Sequence, residues 1–304
     1  MDYQKQIVSV LKASSWSQEE LARRLGVSFA TLNAWVNGRA KPRQKAGDAI
    51  RLLYFDVVGA DDVDLNELVR QKQVATSLKT NTRAIVGDEA VLNKLTLHLT
   101  YHTNTIEGST MTLADTEAVL FARKVLTNRT QVEQAEARNH QAALLWLLDE
   151  AGRKGFAIDE ALVKGLHLRL MNGILSDAGQ YRRHSVRIMG SRVAVANFQK
   201  VPTLMHILLR PADHGSEDLI AELASTHATF EKIHPFSDGN GRVGRLLMLA
   251  QALRAKRVPP IVLQEKKHAY YKYLELAQIK QEIAPLEYFI TVSMLTTNKL
   301  LFED

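Results

Sequence analysis

Cysteine is absent from all 304 residues. Disulfides, thiol nucleophiles and cysteine-ligated metal centres are thereby excluded. No apolar run approaches the roughly 20 residues a membrane-spanning helix needs, so no membrane partner is expected. The opening Met1-Asp2-Tyr3-Gln4-Lys5 lacks the basic-then-apolar layout of a secretion signal, and the cytoplasm is the expected compartment. Low-complexity tracts and internal repeats are missing too. Proline (7) and glycine (16) are sparse enough to leave long uninterrupted segments. Hydrophobic residues make up 46% and charged residues 24%, the balance of an ordinary globular chain. This length suits two domains, the larger with a sizeable core.

What charge there is lies at one end. Residues 1–45 hold eight Lys/Arg against three acids, a surplus of +5 out of the chain's formal +6. A local basic excess is what a phosphate-facing module requires. Within it, Ser17-Gln18-Glu19-Glu20 has the pattern of a capping box, and Leu21, Ala22 and Leu25 give the following helix an apolar face. Gly26-Val27-Ser28 supplies a turn and a new N-cap. A second helix then runs through Thr31 and Trp35 to end near Asn37-Gly38, with Pro42 beyond it.

Downstream, the apolar spacing is helical almost throughout. A connecting helix is expected over 65–79, and further helices over 85–106, 112–123, 130–152, 159–172, 202–210, 216–232, 242–254, 266–280 and 284–300. The exception is Val186-Arg187-Ile188, then Met189-Gly190-Ser191, then Arg192-Val193-Ala194-Val195, which reads as a short β-hairpin. His98 and His102 stand at i and i+4, a metal-binding spacing, but no adjacent Glu or third ligand completes a site, and ordinary packing is the expectation. Trp146, within an apolar run, reads as core.

The chemistry concentrates in His234-Pro235-Phe236-Ser237-Asp238-Gly239-Asn240-Gly241-Arg242-Val243-Gly244-Arg245. A glycine-rich loop that opens a helix is an anion site, because unpaired N–H groups and the positive dipole end converge there. Arg242 and Arg245, three apart, share a helical face. His234 is suited to accepting a hydroxyl proton near neutral pH. Asp238 offers a hard oxygen ligand for Mg²⁺. The stretch reads as nucleotide chemistry.

It resembles the signature HPF-x-[DE]-GNGR-x-x-R of the Fic family at every fixed position. The resemblance implies a mainly α-helical fold with a short β-hairpin flap, spanning about residues 85–304. It also implies protein adenylyltransferase activity, a nucleotidyl transfer. On this reading His234 is the general base, and AMP passes from ATP to a Ser, Thr or Tyr hydroxyl of a target protein. Asp238 would hold Mg²⁺. Gly239, Asn240, Gly241, Arg242 and Arg245 would bind the phosphates, and Phe236 would anchor the loop. Tyr271 and Gln278, seven residues apart on one expected helical face, would lie by the adenine. Val186, Arg187 and Ile188 would form the flap that grips the target's main chain, although the Pro-Pro pair often found after it is missing.

A second motif, Thr103-Asn104-Thr105-Ile106-Glu107-Gly108, resembles the [ST]-x-x-x-E-[GN] inhibitory motif of Fic proteins, on an expected helix at about 90–108. It implies that Glu107 pairs with Arg245 and holds the enzyme off. Residues 1–60 resemble a lambda-repressor-like helix-turn-helix, with 61–84 as linker. That resemblance implies DNA binding, with Phe29, Thr31 and Asn33 near bases and Gln18, Arg39, Lys41 and Arg43 near phosphates, and Ser28 capping the reading helix. A homodimer would suit a two-fold DNA site. The alternatives are transfer of another phosphorylated group such as UMP or phosphocholine, removal of AMP, and a DNA-binding regulator that uses the core as a nucleotide sensor.

Overall fold

A computed structural model describes residues 3–14, 16–59, 63–210 and 218–303. Met1, Asp2, the expected module boundary at Ala60, and the start of the helix expected over 216–232 lie outside them.

The first four helices form a unit with its own core. α1 (Tyr3–Ser14), α2 (Gln18–Arg24), α3 (Phe29–Val36) and α4 (Gln44–Val57) bury Ile7, Val10, Leu21, Leu32, Trp35 and Ile50 against one another. Ser17 Oγ accepts Glu20 N at 3.1 Å and Ser28 Oγ accepts Thr31 N at 3.2 Å, so both helix starts are side-chain capped as expected. Gly26 makes the turn between them at φ 65°, a conformation glycine reaches without penalty. The reciprocal bond of a capping box is not made at Ser17. Glu20 instead bridges Arg23 and Arg24 at 2.8 and 2.7 Å. Glu20 thereby offsets one of those two charges, and further basic surface lies at the exposed Arg39, Lys41, Arg43 and Lys45.

α5 (Leu65–Ser77) corrects an expectation. Read as a linker helix, it packs along α15 (Ala284–Phe302) and buries Leu68 and Ala75. Lys72 ties it down, 2.6 Å from both Asp218 and Glu287. It belongs to the main body because its buried stripe meets α15, a contact no local pattern reveals.

The main body continues with α6 (Thr82–Val86), α7 (Glu89–Ile106), α8 (Leu113–Leu120), α9 (Gln131–Gly152), α10 (Glu160–Leu170), α11 (Val201–Leu208), α12 (Leu219–Ile233), α13 (Asn240–Arg254) and α14 (Lys267–Glu275). α13 is the pillar. It is buried at 13 of its 15 residues and touches α7, α9, α10 and α12. Such all-round burial explains why its sequence is apolar on every side beyond the first turn. The one expected helix over 266–280 changes type: after Glu275 the chain forms a π-helical turn, Leu276–Lys280, closed by Gln281 at φ 61°. The wider turn shifts side-chain directions, so Tyr271 and Gln278 do not keep the common face that seven α-helical residues would provide.

The expected hairpin is also corrected. Among the described residues no β-strand forms, and the single bridge joins Lys79 to Arg257. Residues 183–197 run as two irregular arms about a turn at Gly190, φ 74°, without a ladder between them. A guanidinium does the work of a ladder. Arg182 donates to His184 O at 2.8 Å and to Ala196 O at 2.5 Å, holding the arms together at their base. Among the described residues no helix is long and apolar enough to cross a membrane.

Candidate active site

His234 ends α12 in the left-handed conformation, φ 52° and ψ 62°, with Pro235 preventing continuation of the helix. Its imidazole faces Glu231 O at 3.2 Å through Nδ1, which assigns the ring proton to Nδ1 and leaves the Nε2 lone pair free. Burial lowers its pKa, favouring the neutral ring that a general base needs.

The loop beyond is pinned from three sides. Phe236 is fully buried and stacks on His167, ring centroids 3.8 Å apart. His167 accepts Gly179 N at Nδ1 (2.8 Å) and so presents Nε2–H to Asp238 O (3.1 Å). Burial lowers its pKa to about 4, which keeps that tautomer neutral. Arg182 donates its backbone N–H to Pro235 O at 2.9 Å and Nε–H to His234 O at 2.7 Å. Asn240 closes the loop on itself: Phe236 N donates to its Oδ1, and its Nδ2 donates to Phe236 O, both at 2.9 Å. The side chain of Asn240 is spent on shape. What it can offer an anion is its main-chain N–H, which with those of Gly241 and Arg242 precedes the first intrahelical bond, Val243 N to Gly239 O. Gly239 stands at φ 76° with Met171 Sδ 2.8 Å from where a Cβ would be, so only glycine fits.

The two arginines of the first turn of α13 point to different partners. Arg245 is buried and reaches Glu107 Oε1 at 2.5 Å. It also bonds Thr103 Oγ1 through Nε and Thr103 O through a second nitrogen at 3.3 Å. The Glu107 carboxylate lies directly against Gly241, where a Cβ would collide with it. It therefore occupies the mouth of the amide cradle. Burial pushes its carboxyl up, but Arg245 outweighs that and holds it below the usual carboxylate range. Arg242 is buried and pairs with Glu136 of α9 at 2.6 Å, with Asp238 3.7 Å away.

Asp238 is well exposed at the loop's mouth, 65% accessible, and its Oδ1 accepts Gly239 N at 2.6 Å. Oδ2 lies 3.7 Å from Arg242, and the exposed carboxylate is a fitting donor for a cation carried in by phosphates. Among the described residues no group of three His, Asp or Glu forms a site that would hold a metal by itself. Tyr271 is half-exposed on α14 beside the cradle. Gln278 does not accompany it into an open pocket. Its amide donates to Ala228 O at 3.0 Å and its own carbonyl accepts Lys232 Nζ at 2.9 Å. His98 and His102 pack ring to ring, and His102 Nδ1 accepts Gln264 N at 3.1 Å, which is structural work.

Sequence reasoning missed several residues. Glu231, one turn before His234 on the same helix, is buried with Oε1 unpartnered and Oε2 3.9 Å from His234 Nδ1. Burial lifts its pKa to about 8. Its i−3 spacing from the base was the available signal. His227 bonds Tyr270 OH at 2.7 Å. His167, Arg182 and Glu136 act across long stretches of chain, and no local pattern marks them.

In the N-terminal unit, Phe29 is 46% exposed and Thr31 is engaged with Ser28 at 2.8 Å. Gln18 Oε1 accepts Asn33 Nδ2 at 3.2 Å. The unit docks on the main body through the far end of α4. There Phe55 lies against Tyr273 and Tyr288, at 5.4 and 4.6 Å, and Asp56 meets Lys266 at 3.1 Å.

Residues 157–252, from α10 through the loop to α13, match the Fic/DOC family model, and residues 8–50 match a helix-turn-helix model. The chain carries a Fic domain behind a helix-turn-helix. Among curated relatives, the protein adenylyltransferase Fic of Nematostella vectensis is 31% identical over 179 residues, covering 58% of this chain and 42% of that protein. That of Drosophila mojavensis is 27% identical over 258 residues, covering 82% and 47%. The chain thus spans less than half the length of these relatives. The fold is shared with the Fic-1 protein of C. elegans, at TM-score 0.64 and 23% identity, covering 93% of this chain and 84% of that one. A Fic domain containing signaling protein from Bacteroides thetaiotaomicron aligns at TM-score 0.63 and 21% identity, covering 78% and 97%.

Proposed function

We propose that this chain is a protein adenylyltransferase held inactive by Glu107 and coupled to a DNA-binding helix-turn-helix, working in the cytoplasm. The observation that carries the reading is the Glu107–Arg245 pair lying on Gly241, a carboxylate placed where a phosphate would sit. With that carboxylate withdrawn, the N–H groups of Asn240, Gly241 and Arg242 and the guanidinium of Arg245 are free to receive ATP phosphates. His234 Nε2 takes the proton of a target Ser, Thr or Tyr hydroxyl. The oxygen attacks the α-phosphorus, its bond to the bridging oxygen breaks, and pyrophosphate leaves. Mg²⁺, when bound, offsets phosphate charge, and Asp238 would hold it. Positioning and charge stabilisation dominate such transfers.

The test is incubation of the Glu107→Gly protein with ATP labelled at the α- or γ-phosphate. The expected result is α-label in protein, lost by about 10²–10⁴-fold on adding His234→Ala. Label from the γ-position would sink AMP transfer in favour of another phosphorylated group. DNA binding rests on a separate observation, the exposed Phe29 and the exposed basic run Arg39, Lys41 and Arg43. A two-fold DNA site would require a dimer of this chain.

A further inference from the structure

This inference rests on the transferase reading and names the target chemistry that reading leaves open. Between Asp177 and Lys200 the chain holds no acidic residue, yet it carries Arg182, Arg183, Arg187 and Arg192. Arg183, Arg187 and Arg192 are exposed, and among the described residues none of the three is in an ion pair. They sit on the irregular arms 183–197, whose main chains are not laddered to each other. The arms are anchored beside the base, since Arg182 bonds His234 O and Ala196 N donates to Lys232 O at 3.1 Å. A chain lying along an arm therefore passes next to His234.

Two cavities flank the base of this loop. One, of ≈ 530 Å³, is apolar and lies between Ala194 and Ala196 of the returning arm, Leu204 and Ile207 of α11, and Ile233, the residue before His234. The other, of ≈ 580 Å³, is basic and polar and is bordered by Lys164, Arg182 and Arg183. Successive side chains of an extended segment point to opposite sides. A segment added to the arm would send one set toward the apolar cavity and the alternate set toward the arginines.

We propose that the loop 183–197 selects an extended, acidic target segment. In it the hydroxyl residue is neighboured by Asp or Glu, and a Leu-, Ile- or Val-sized side chain enters the apolar cavity. Unladdered main chain beside a catalytic base favours a peptide over nucleic acid, which would use the charges but neither the backbone edge nor the apolar cavity.

The experiment measures binding of fluorescent peptides to the full chain by anisotropy, without ATP. One peptide alternates Asp/Glu with Leu around a single Thr; a second replaces the acids by Lys; a third probe is duplex DNA. The acidic peptide is expected to bind about tenfold tighter than its lysine form at low salt, as about three exposed charge pairs allow, with the advantage shrinking as salt rises. Arg187→Glu with Arg192→Glu, at exposed positions and with unchanged melting temperature, is expected to reverse the order. Equal binding, or an order untouched by charge reversal, overturns the proposal. So does DNA binding lost on that reversal while neither peptide binds. AMP transfer to the acidic peptide by the Glu107→Gly form is read separately. Peptide preference without transfer sinks the enzymatic reading and leaves this one standing; transfer without preference does the opposite.

Discussion

Arg242 and Arg245 stand three residues apart on one turn of α13, each buried and each facing one glutamate from another helix, at 2.6 and 2.5 Å. The pairs are alike in chemistry and differ in where the glutamate is rooted. Glu136 lies within α9, after its capped start at Thr130 and among residues packed on the core. Glu107 is the last residue of its turn, the C-cap of α7, followed by Gly108 at φ 112°. Beyond it, Thr110 N donates to Glu133 at 2.6 Å and fastens the exit loop to α9. Withdrawing Glu136 would require moving a helix in the core. Withdrawing Glu107 requires only unwinding or tilting one helix end. The difference teaches that a buried ion pair becomes a removable one when a partner sits at a terminus; on the proposed function, the Arg242 pair is architecture and the Arg245 pair is control.

The sharpest way to break this comparison is Glu136→Gln. Removing one partner of a buried pair leaves a charge uncompensated, and about 3 kcal/mol of stability is expected to be lost, read as a lower denaturant midpoint with no gain in AMP transfer. If that variant were as active as Glu107→Gly, the two pairs would not differ in kind. Next in size comes Glu107→Gly itself. A charge-assisted arginine bond is worth roughly 1.5–3 kcal/mol, so transfer should rise by one to a few powers of ten, with some fall in melting temperature because Arg245 loses its buried partner. Unchanged transfer in folded protein would refute the brake.

Smaller effects come from pH. Glu107 has a folded pKa below the ordinary glutamate value of 4.5, so its contribution is present above 4.5 and is lost only as pH falls through the lower folded value. The brake should therefore hold unchanged across neutral pH, and a ratio of Glu107→Gly to wild-type transfer rates that changed between mildly acidic and neutral pH would contradict it, since titration of His234 affects both proteins alike. Glu231, a third carboxylate in the same neighbourhood, behaves oppositely. Its pKa rises from 4.5 to about 8 on folding, so its ionisation opposes folding increasingly as pH climbs through that interval and no further above it. Glu231→Gln should thus melt above wild type by a margin that widens between those values and then levels off. A constant margin would mean that the carboxyl is not held neutral.

Much of the site was legible because its parts are neighbours in the chain. A base, an exposed carboxylate, glycines of which one stands at φ 76°, and two arginines need only one loop and one helix start to meet. The helix ends were readable for the same reason, as at Ser28, Thr112 and Thr130, where a side chain caps the turn it begins. The expected flap strands were not borne out, since alternating apolar residues forecast extended backbone but not the Arg182 clamp that replaces the ladder. The contacts that Asn240, Arg242 and Gln278 make with Phe236, Glu136 and Ala228 were not legible, because those partners come from the folded loop and from other helices.

The sequence by itself determined that a helix start built for anions stands behind an imidazole, that a glutamate suited to plug it lies far upstream, and that the basic surplus gathers at the front. Tertiary structure alone decided which glutamate Arg242 meets, that α5 packs on the main body, and that Glu231 is buried behind the base. Local spacing records which residues share a turn. Burial and pairing between helices depend on partners 106 or 138 residues away, and their free energies appear only when the chain has closed around them.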